Sequence, residues 1–100
     1  AGGLLMVAMN VAPEAEAEFN AWFDEEHLPA LAAVAGNLCA RRYKMPGGAH
    51  RYLALHHLTS PDVQASAAWK AAAETPWTQK IRPHVRDRLR IVLRPYVRKG

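Results

Sequence analysis

The sequence predicts an α+β fold in which four strands and two helical segments follow the order β-α-β-β-α-β. Residues 4–11 are apolar on both alternating faces, which is typical of a strand in the interior of a sheet. Residues 38–44 and 51–58 are two further strand-like stretches joined by a Pro-Gly-Gly turn, which predicts a hairpin. Residues 88–97 alternate between apolar and mixed positions and form the last predicted strand.

The first helix is predicted to begin just after the first strand. Pro13 suits a first helical position, and three glutamates follow it near the positive end of the helix dipole. The helix is expected to kink or break near Pro29, because proline lacks the N–H that would bond the carbonyl of Glu25. A weaker continuation of the helix should end at Gly36.

The second helical segment is predicted between the hairpin and the last strand. Ser60 can cap its start, and Pro61 suits its first turn. The segment is rich in alanine and carries Trp69. Pro76 should interrupt it, and a short helical piece should follow before Pro83.

Length and composition bound the class of protein. One hundred residues fit a single domain, residues 1–100. The only cysteine, Cys39, cannot form an intrachain disulfide, and no apolar run is long enough to cross a membrane. We therefore expect a cytoplasmic protein without a membrane partner. The formal net charge of +4 is mild, although basic residues cluster in the last fifth of the chain.

A nucleic-acid-binding module with the same order of elements is a rival interpretation. That module stacks bases on aromatic side chains of its first and third strands. In this chain the first strand has no aromatic residue, and the third has only Tyr52. No nucleic-acid partner is therefore expected.

The order of elements is the ferredoxin-like arrangement, with an antiparallel sheet. Both helical segments must cover the same face of the sheet, because each crossover is right-handed. The other face is left bare, and a second copy should cover it, which predicts a homodimer with an enclosed space. The alternation of the strands assigns to this bare face Leu4, Met6, Ala8, Tyr52, Ala54, Leu58, Val92 and Tyr96.

Residues 20–29 (NAWFDEEHLP) and, more weakly, residues 40–43, 51–55, 75–77 and 82–84 carry a resemblance to a known superfamily. The chain resembles the dimeric α/β-barrel proteins, and within them the small EthD-like and stress-responsive barrel proteins. The superfamily includes cofactor-free monooxygenases, polyketide cyclases, lactone isomerases and haem-degrading enzymes. The resemblance implies a dimeric α/β barrel with a small-molecule site, but it does not select one reaction.

His27 is the first candidate for an acid–base residue. It follows Phe19 and Phe23 at helical spacing, so it lies on the apolar face of the helix, just before Pro29. Asp24 precedes His27 by three residues, close enough on a helix to orient or charge it. A second interpretation is a core histidine bonded to a backbone carbonyl that Pro29 leaves free, and a third is a metal ligand.

Six further residues are candidates for the site. Tyr52 and His56 share one face of the third strand, so both could donate hydrogen bonds to one flat substrate in the enclosed space of the dimer. Packing in the dimer interface is the alternative for both side chains. The candidates for substrate binding, as aromatic walls, an anion clamp or pocket lining, are Trp22, Trp77, Arg90 and His84.

These residues favour a cofactor-independent enzyme with acid–base chemistry. No metal-binding, phosphate-loop or dinucleotide motif occurs in the sequence, so neither a metal nor a cofactor is expected. We expect isomerase, cyclase or lyase chemistry on a small aromatic or polyketide-like oxygenated compound. The alternatives are a non-catalytic dimer that binds a small ligand or acts as a stress accessory, and a cofactor-free monooxygenase.

Overall fold

The computed structural model describes residues 2–97 and has the predicted order of elements. No helix within this range is long and apolar enough to cross a membrane. The strands are β1 (Gly3–Val11), β2 (Asn37–Lys44), β3 (Tyr52–Leu58) and β4 (Val85–Leu93), and the helices are α1 (Glu16–Trp22), α2 (Leu28–Ala32), α3 (Ala67–Ala73) and α4 (Pro76–Ile81).

The four strands form one antiparallel sheet in the order β2-β3-β1-β4. The apolar strand β1 therefore lies inside the sheet, as its sequence predicts. Its Val7 stands between Ala54 of β3 and Arg90 of β4. The bounds of β4 differ from the prediction, since the strand begins at Val85 and residues 94–97 lie beyond its end.

A π-helical turn, Phe23–His27, joins α1 to α2 where the sequence predicts a kink or break. The N–H of Leu28 bonds the carbonyl of Phe23, five residues back. The extra residue in this turn shifts the hydrogen-bond register just before Pro29, which has no N–H to donate. The chain therefore stays helical through the proline to the end of α2 at Ala32, and a turn over residues 33–36 follows, in which Gly36 has a φ of +95°.

Serine and threonine caps define the second helical segment. Ser60 caps a short 3₁₀ turn, and Ser66 caps α3 by accepting a hydrogen bond from the N–H of Trp69 at 3.2 Å. Thr75 caps α4 in the same way, accepting from the N–H of Thr78 at 3.0 Å. The predicted interruption before Pro76 is confirmed as the boundary between α3 and α4.

The hydrophobic core lies between one face of the sheet and the helices. Its centre is formed by aromatic side chains of the first helical segment, and the ring of Phe19 lies 5.3 Å from that of Tyr52 on β3. The sheet side contributes Leu5, Val7, Met9, Tyr52, Ala54 and Leu58, and the helices contribute Phe19, Trp22, Phe23, Leu31, Trp69 and Ile81.

The structure corrects the predicted faces of the sheet for β3 and β4. Tyr52, Ala54 and Leu58 face the helices and are buried in the core, and His56 is buried on the same face. On β4, Val92 pairs with the core residue Leu5 and also belongs to the helix side. Tyr96 lies beyond the strand and is 91% exposed.

The face away from the helices, which we call the open face, is apolar along three neighbouring strands. The cross-strand pairs place Leu4, Met6 and Ala8 of β1 on it, as the sequence predicts. On β3 and β4, the residues on the open face are the chain neighbours of those that the alternation of the sequence assigns to it. From β3 and β4 these are Leu53, Leu55, His57, Leu89, Ile91 and Leu93.

Candidate functional site

A cavity of about 420 Å³ lies between the sheet and the helices. Its size is within the range of small-molecule sites. The interior is mainly apolar and aromatic, and the charged side chains that border it are exposed, so they mark its mouth. The lining residues are Leu5, Val7, Met9, Trp22, Phe23, His27, Leu31, Ala54, His56, Trp69, Ala73, Glu74, Thr78, Arg82, Val85, Arg88 and Arg90.

His27 lines this cavity and is held by aromatic contacts. Its imidazole stacks on the indole of Trp22, with ring centroids 4.2 Å apart and an interplanar angle of 24°. The edge of Phe23 meets the same imidazole at 4.9 Å. The indole N–H of Trp22 donates to the hydroxyl of Thr78 at 3.2 Å, which fixes the wall behind the imidazole.

The Nδ1 atom of His27 is buried and has no hydrogen-bond partner among residues 2–97. The alternative interpretation, a core histidine bonded to a free backbone carbonyl, is therefore not supported for this nitrogen. With no partner on Nδ1, no hydrogen bond in the described structure fixes which ring nitrogen carries the proton. The ring is only partly buried, so Nε2 is the nitrogen through which His27 can meet a ligand.

The surroundings of His27 favour its neutral form. Burial, followed by the charges of His56, Arg88, Arg82 and Arg42, lowers its pKa from 6.5 to about 4. At neutral pH the cavity therefore presents an uncharged imidazole that can accept or donate a proton.

His56 is the second histidine of the cavity, and it is almost completely buried, at 1% exposure. Its ring meets the indole of Trp69 edge to face at 5.0 Å. Burial and the charge of Arg90 lower its pKa to about 4, so it is also neutral at pH 7. Its Nδ1 lies 3.1 Å from Nδ2 of Asn37, at the start of β2.

Three arginines and one glutamate surround the mouth. Arg82 donates to the carboxylate of Glu74 at 2.5 Å, and this hydrogen bond lowers the pKa of Glu74. Arg90 donates to the side-chain oxygen of Gln64, which is neutral. Arg88 has no hydrogen bond or ion pair with another described residue. The mouth therefore carries two positive charges that no described carboxylate balances.

Two predicted catalytic residues lie away from the cavity. Asp24 is not paired with His27, because its carboxylate binds the guanidinium of Arg42 at 2.7 Å on the exposed side of the helix. Tyr52 donates to the carboxylate of Glu16 and packs inside the core. Neither side chain lines the cavity, so the structure does not bring Asp24 or Tyr52 together with His27 and His56.

Among the predicted substrate contacts, Trp22 and Arg90 line the cavity. Arg90 does so from the helix side of the sheet, because it pairs with the core residue Val7. Trp77 packs at the edge of the core, and His84 offers its backbone carbonyl to the N–H of Ala12 at 2.9 Å. Neither Trp77 nor His84 lines the cavity.

Several polar or aromatic residues of the site are not among the candidates that the sequence offers, namely Phe23, Asn37, Trp69, Glu74, Thr78, Arg82 and Arg88. Trp69 has a signal in the sequence, as the one large side chain of an alanine-rich helix. Asn37 has none, because a polar residue after a glycine is typical of an ordinary helix end. No group of three or more side chains that could hold a metal ion occurs within residues 2–97.

No protein-family profile matches the chain, and no curated protein is significantly similar to it in sequence. Solved structures do match. The haem degrader MhuD from Mycobacterium tuberculosis, solved with two haems in its active site, has a TM-score of 0.68 at 17% identity, covering 98% of this chain and 99% of its own. The cofactor-independent oxygenase SnoaB from Streptomyces nogalater has a TM-score of 0.65 at 16% identity, covering 100% and 97%.

A third similar structure is HapK from Hahella chejuensis, with a TM-score of 0.61 at 11% identity over 98% of this chain and 95% of its own. At these identities the likeness establishes the fold and nothing finer. The narrower likeness to EthD-like proteins stays a prediction. The chain has the ferredoxin-like α+β fold of these proteins, which confirms, at the level of the fold, its resemblance to the dimeric α/β-barrel superfamily.

Proposed function

We propose that this protein is a cofactor-independent enzyme that removes a proton from a small, flat, anionic aromatic compound, and that molecular oxygen is the second reactant. One observation carries the proposal. A neutral histidine, His27, lies on an indole inside an apolar cavity whose mouth has two unbalanced arginines. A proton acceptor beside a site for negative charge is what carbanion chemistry requires.

The lining of the cavity fits a flat ring with an acidic substituent. The indoles of Trp22 and Trp69 offer apolar surface on which an aromatic ring can pack. Arg88 and Arg90 lie at the mouth, where a carboxylate or phenolate can pair with them. The ligand would then lie with its ring inside and its acidic group outward.

Proton transfer to His27 depends on the charge that develops on the substrate. The protein alone disfavours the imidazolium, because burial and neighbouring arginines lower the pKa of His27. A substrate anion beside the ring reverses this electrostatic effect, since opposite charges stabilise each other in a poorly solvated site. The proton therefore leaves the substrate as an ion pair forms, while Arg88 and Arg90 stabilise the anion.

Two of the similar structures favour oxygenation over the isomerisation expected from the sequence. Their names describe a cofactor-independent oxygenase and a haem degrader. An electron-rich carbanion can itself reduce oxygen. For an acidic CH₂ group the balance is CH₂ + O₂ → C=O + H₂O, in which one oxygen atom enters the product and the other leaves as water. The substrate supplies all four electrons, so no cofactor is needed.

We also propose that the protein acts as a homodimer. The open face presents apolar side chains of three strands, including Leu89 and Leu93, each 41% exposed. Such a continuous apolar surface is unfavourable in water, and a second copy stacked on it would cover the open faces of both protomers. The cavity lies on the opposite side of the sheet, so each protomer holds its own site.

A tetralone carboxylic acid and its methyl ester test the function, because they are flat bicyclic ketones with an acidic CH₂ group. Hydrogen–deuterium exchange at that CH₂, followed by NMR in D₂O under argon, measures proton removal alone. An oxygen electrode measures oxygen uptake by the same solution in air. We expect the protein to accelerate both, with the acid as the better substrate.

Each other outcome contradicts a defined part of the proposal. Exchange without oxygen uptake would replace oxygenation by isomerase or cyclase chemistry. Binding of the acid without exchange would indicate a ligand-binding protein rather than an enzyme. A haem absorption shift on titration with haemin that is lost in His27→Gln would indicate haem binding at this site instead.

A further inference from the structure

Asn37 lies where the chain leaves α2 and enters β2, directly after Gly36. A Cβ on Gly36 would come within 2.6 Å of a methyl group of Val63, and the residue has a φ of +95°, so glycine is required there. This tight turn places the side-chain amide of Asn37 next to the imidazole of His56. The amide nitrogen Nδ2 donates to the carbonyl of Leu31 at 2.9 Å and lies 3.1 Å from Nδ1 of His56.

These two contacts determine the proton position on His56. A backbone carbonyl can only accept, so the contact with Leu31 identifies the NH₂ end of the Asn37 amide. The same NH₂ group can only donate, and it lies at hydrogen-bond distance from Nδ1 of His56, so this Nδ1 must accept. The proton of the neutral imidazole is then on Nε2, in a residue that lines the cavity.

The arrangement is not explained by stability alone. The Oδ1 atom of Asn37 is buried and has no hydrogen-bond partner among residues 2–97. A buried polar atom without a partner is unfavourable, so an apolar residue would serve better if the position only filled space. An asparagine here has two consequences that an apolar residue would not have. It donates to the carbonyl of Leu31, which the N–H of Val34 also bonds at 3.1 Å, and it fixes the tautomer of His56.

We propose that Asn37 is a positioning residue that holds His56 as a fixed N–H donor, so that the cavity contains one fixed donor and one free imidazole. His27 has no partner on Nδ1 and can accept a proton at Nε2, whereas His56 can only donate from Nε2. His56 is then suited to donate to the oxygen on which negative charge develops when the substrate loses its proton. This division of roles rests on the proposed function.

The tautomer itself can be measured without any substrate. In ¹⁵N-labelled wild-type protein at pH 7, a long-range ¹H–¹⁵N spectrum separates protonated from bare imidazole nitrogens, and the spectrum of His56→Gln assigns the signals. We expect Nδ1 of His56 to be bare and Nε2 to carry the proton. A scalar coupling across the hydrogen bond between Asn37 Nδ2 and His56 Nδ1 should also be present. A proton on Nδ1 would overturn the inference without any variant.

The variant Asn37→Leu tests the role of the amide. It keeps the approximate size of the side chain and removes the donor, so we expect mixed tautomers of His56 and roughly tenfold slower deuterium exchange of the tetralone acid. The matched control is Asn10→Leu. Asn10 also makes side-chain hydrogen bonds, to Ala49 and Asp87, but it does not line the cavity. We expect it to keep both the tautomer and the exchange rate.

A second variant, Asn37→Asp, covers the case in which Asn37→Leu does not fold. A carboxylate accepts and cannot donate, so His56 should move its proton to Nδ1 and lose its donor toward the cavity. An unchanged His56 tautomer in a folded variant would overturn the inference. If the wild-type protein has the expected tautomer but does not accelerate deuterium exchange of the tetralone acid, the proposed function is contradicted and the role of Asn37 in fixing the tautomer stands.

Discussion

The imidazole of His27 lies on the indole of Trp22, although the two residues are five positions apart in the chain. In a regular α-helix, residues five apart point about 140° away from each other. The π-helical turn Phe23–His27 adds one residue to that turn of helix, and this brings the histidine back over the tryptophan. The irregular turn is therefore what places the imidazole against the indole of Trp22.

His27→Gln should remove proton transfer and leave the protein folded. Glutamine keeps a polar side chain but cannot take up a proton at neutral pH, so we expect deuterium exchange of the tetralone acid to fall about 10²–10⁴-fold. The loss of two aromatic contacts, with Trp22 and Phe23, should lower the free energy of unfolding by only about 1–2 kcal/mol. Exchange rates and urea unfolding measure the two effects separately.

His50→Gln is the control for this substitution. His50 lies in the turn between β2 and β3 and does not line the cavity. The variant should therefore catalyse deuterium exchange of the tetralone acid at the wild-type rate. If His27→Gln unfolds the protein, or leaves exchange unchanged, the acid–base role of His27 is wrong and its contact with Trp22 is structural.

The sequence predicts the order of elements because each signal for it is local. The apolar strand β1, the proline and glycine positions and the cap at Ser60 act over a few residues, and the structure confirms them. The sequence also identifies His27 as lying on the apolar face of its helix. It cannot predict the π-helical turn, which depends on how the helix packs as well as on Pro29.

The faces of β3 show why part of the site could not be predicted. This strand lies between β2 and β1, and both of its faces carry apolar residues, so alternation does not identify the helix side. The large side chains of Leu53 and Leu55 suggest that their face of the strand packs in the core. The smaller Ala54, on the opposite face, is the residue that packs in the core, at 1% exposure. Asn37 stabilises His56 on that face through a contact between residues 19 apart, which no local pattern reveals.

The two buried histidines predict a loss of stability in mild acid. The pKa of each is lowered from 6.5 to about 4 in the folded protein. Between these values the unfolded chain binds protons that the folded protein excludes, so stability rises with pH in this window and falls as the pH decreases through it. We expect a loss of about 2 kcal/mol per histidine between pH 7 and pH 5, measured by urea unfolding.

The double variant His27→Gln/His56→Gln isolates this effect. It leaves His50, His57 and His84 in place, so any pH dependence that remains comes from other groups. Its unfolding free energy should change much less between pH 7 and pH 5 than that of the wild type. Equal slopes for both proteins would show that the two cavity histidines titrate normally.

Arg88→Gln should weaken binding of the acid and spare the ester. Arg88 has no anionic partner in the described structure, so its charge is available to a ligand at the mouth. Because the site is partly exposed, we expect about three- to tenfold weaker binding of the tetralone acid by calorimetry. Removing this positive charge should also raise the pKa of His27, which Arg88 lowers.

Arg94→Gln provides the comparison for this loss of charge. Arg94 lies beyond the end of β4, is exposed and does not line the cavity. It should leave the affinities for the acid and the ester unchanged. Equal weakening by the two substitutions would mean that the net charge of the protein, rather than a clamp at the mouth, attracts the acid.

Glu74→Gln should strengthen binding of the acid, which is the opposite of the effect expected for Arg88→Gln. Glu74 binds Arg82 at the mouth, and replacing its carboxylate by an amide releases the charge of that arginine toward a ligand. We expect about two- to fivefold tighter binding of the acid at low salt, with a smaller gain at high salt because exposed charges are screened. Glu14→Gln, which changes an exposed residue outside the cavity, should have no such effect. Weaker binding in Glu74→Gln would mean that the glutamate contacts the ligand itself.

Leu89→Glu tests the open face as a dimer interface. Leu89 lies on the edge strand β4, points away from the helices and is 41% exposed, so a charge there should not disturb the fold of the protomer. In a dimer that stacks two open faces, the same substitution would bury two carboxylates without partners, which is strongly unfavourable.

Val92→Glu, on the same strand, is the control for Leu89→Glu. Val92 is also 41% exposed, but it pairs with Leu5 on the helix side of the sheet. Light scattering at micromolar concentration should give twice the protomer mass of 11.1 kDa for the wild type and for Val92→Glu, and the protomer mass for Leu89→Glu. A wild-type monomer would contradict the dimer. Dissociation by Val92→Glu alone would place the interface on the helix side of β4, next to the cavity, rather than on the open face.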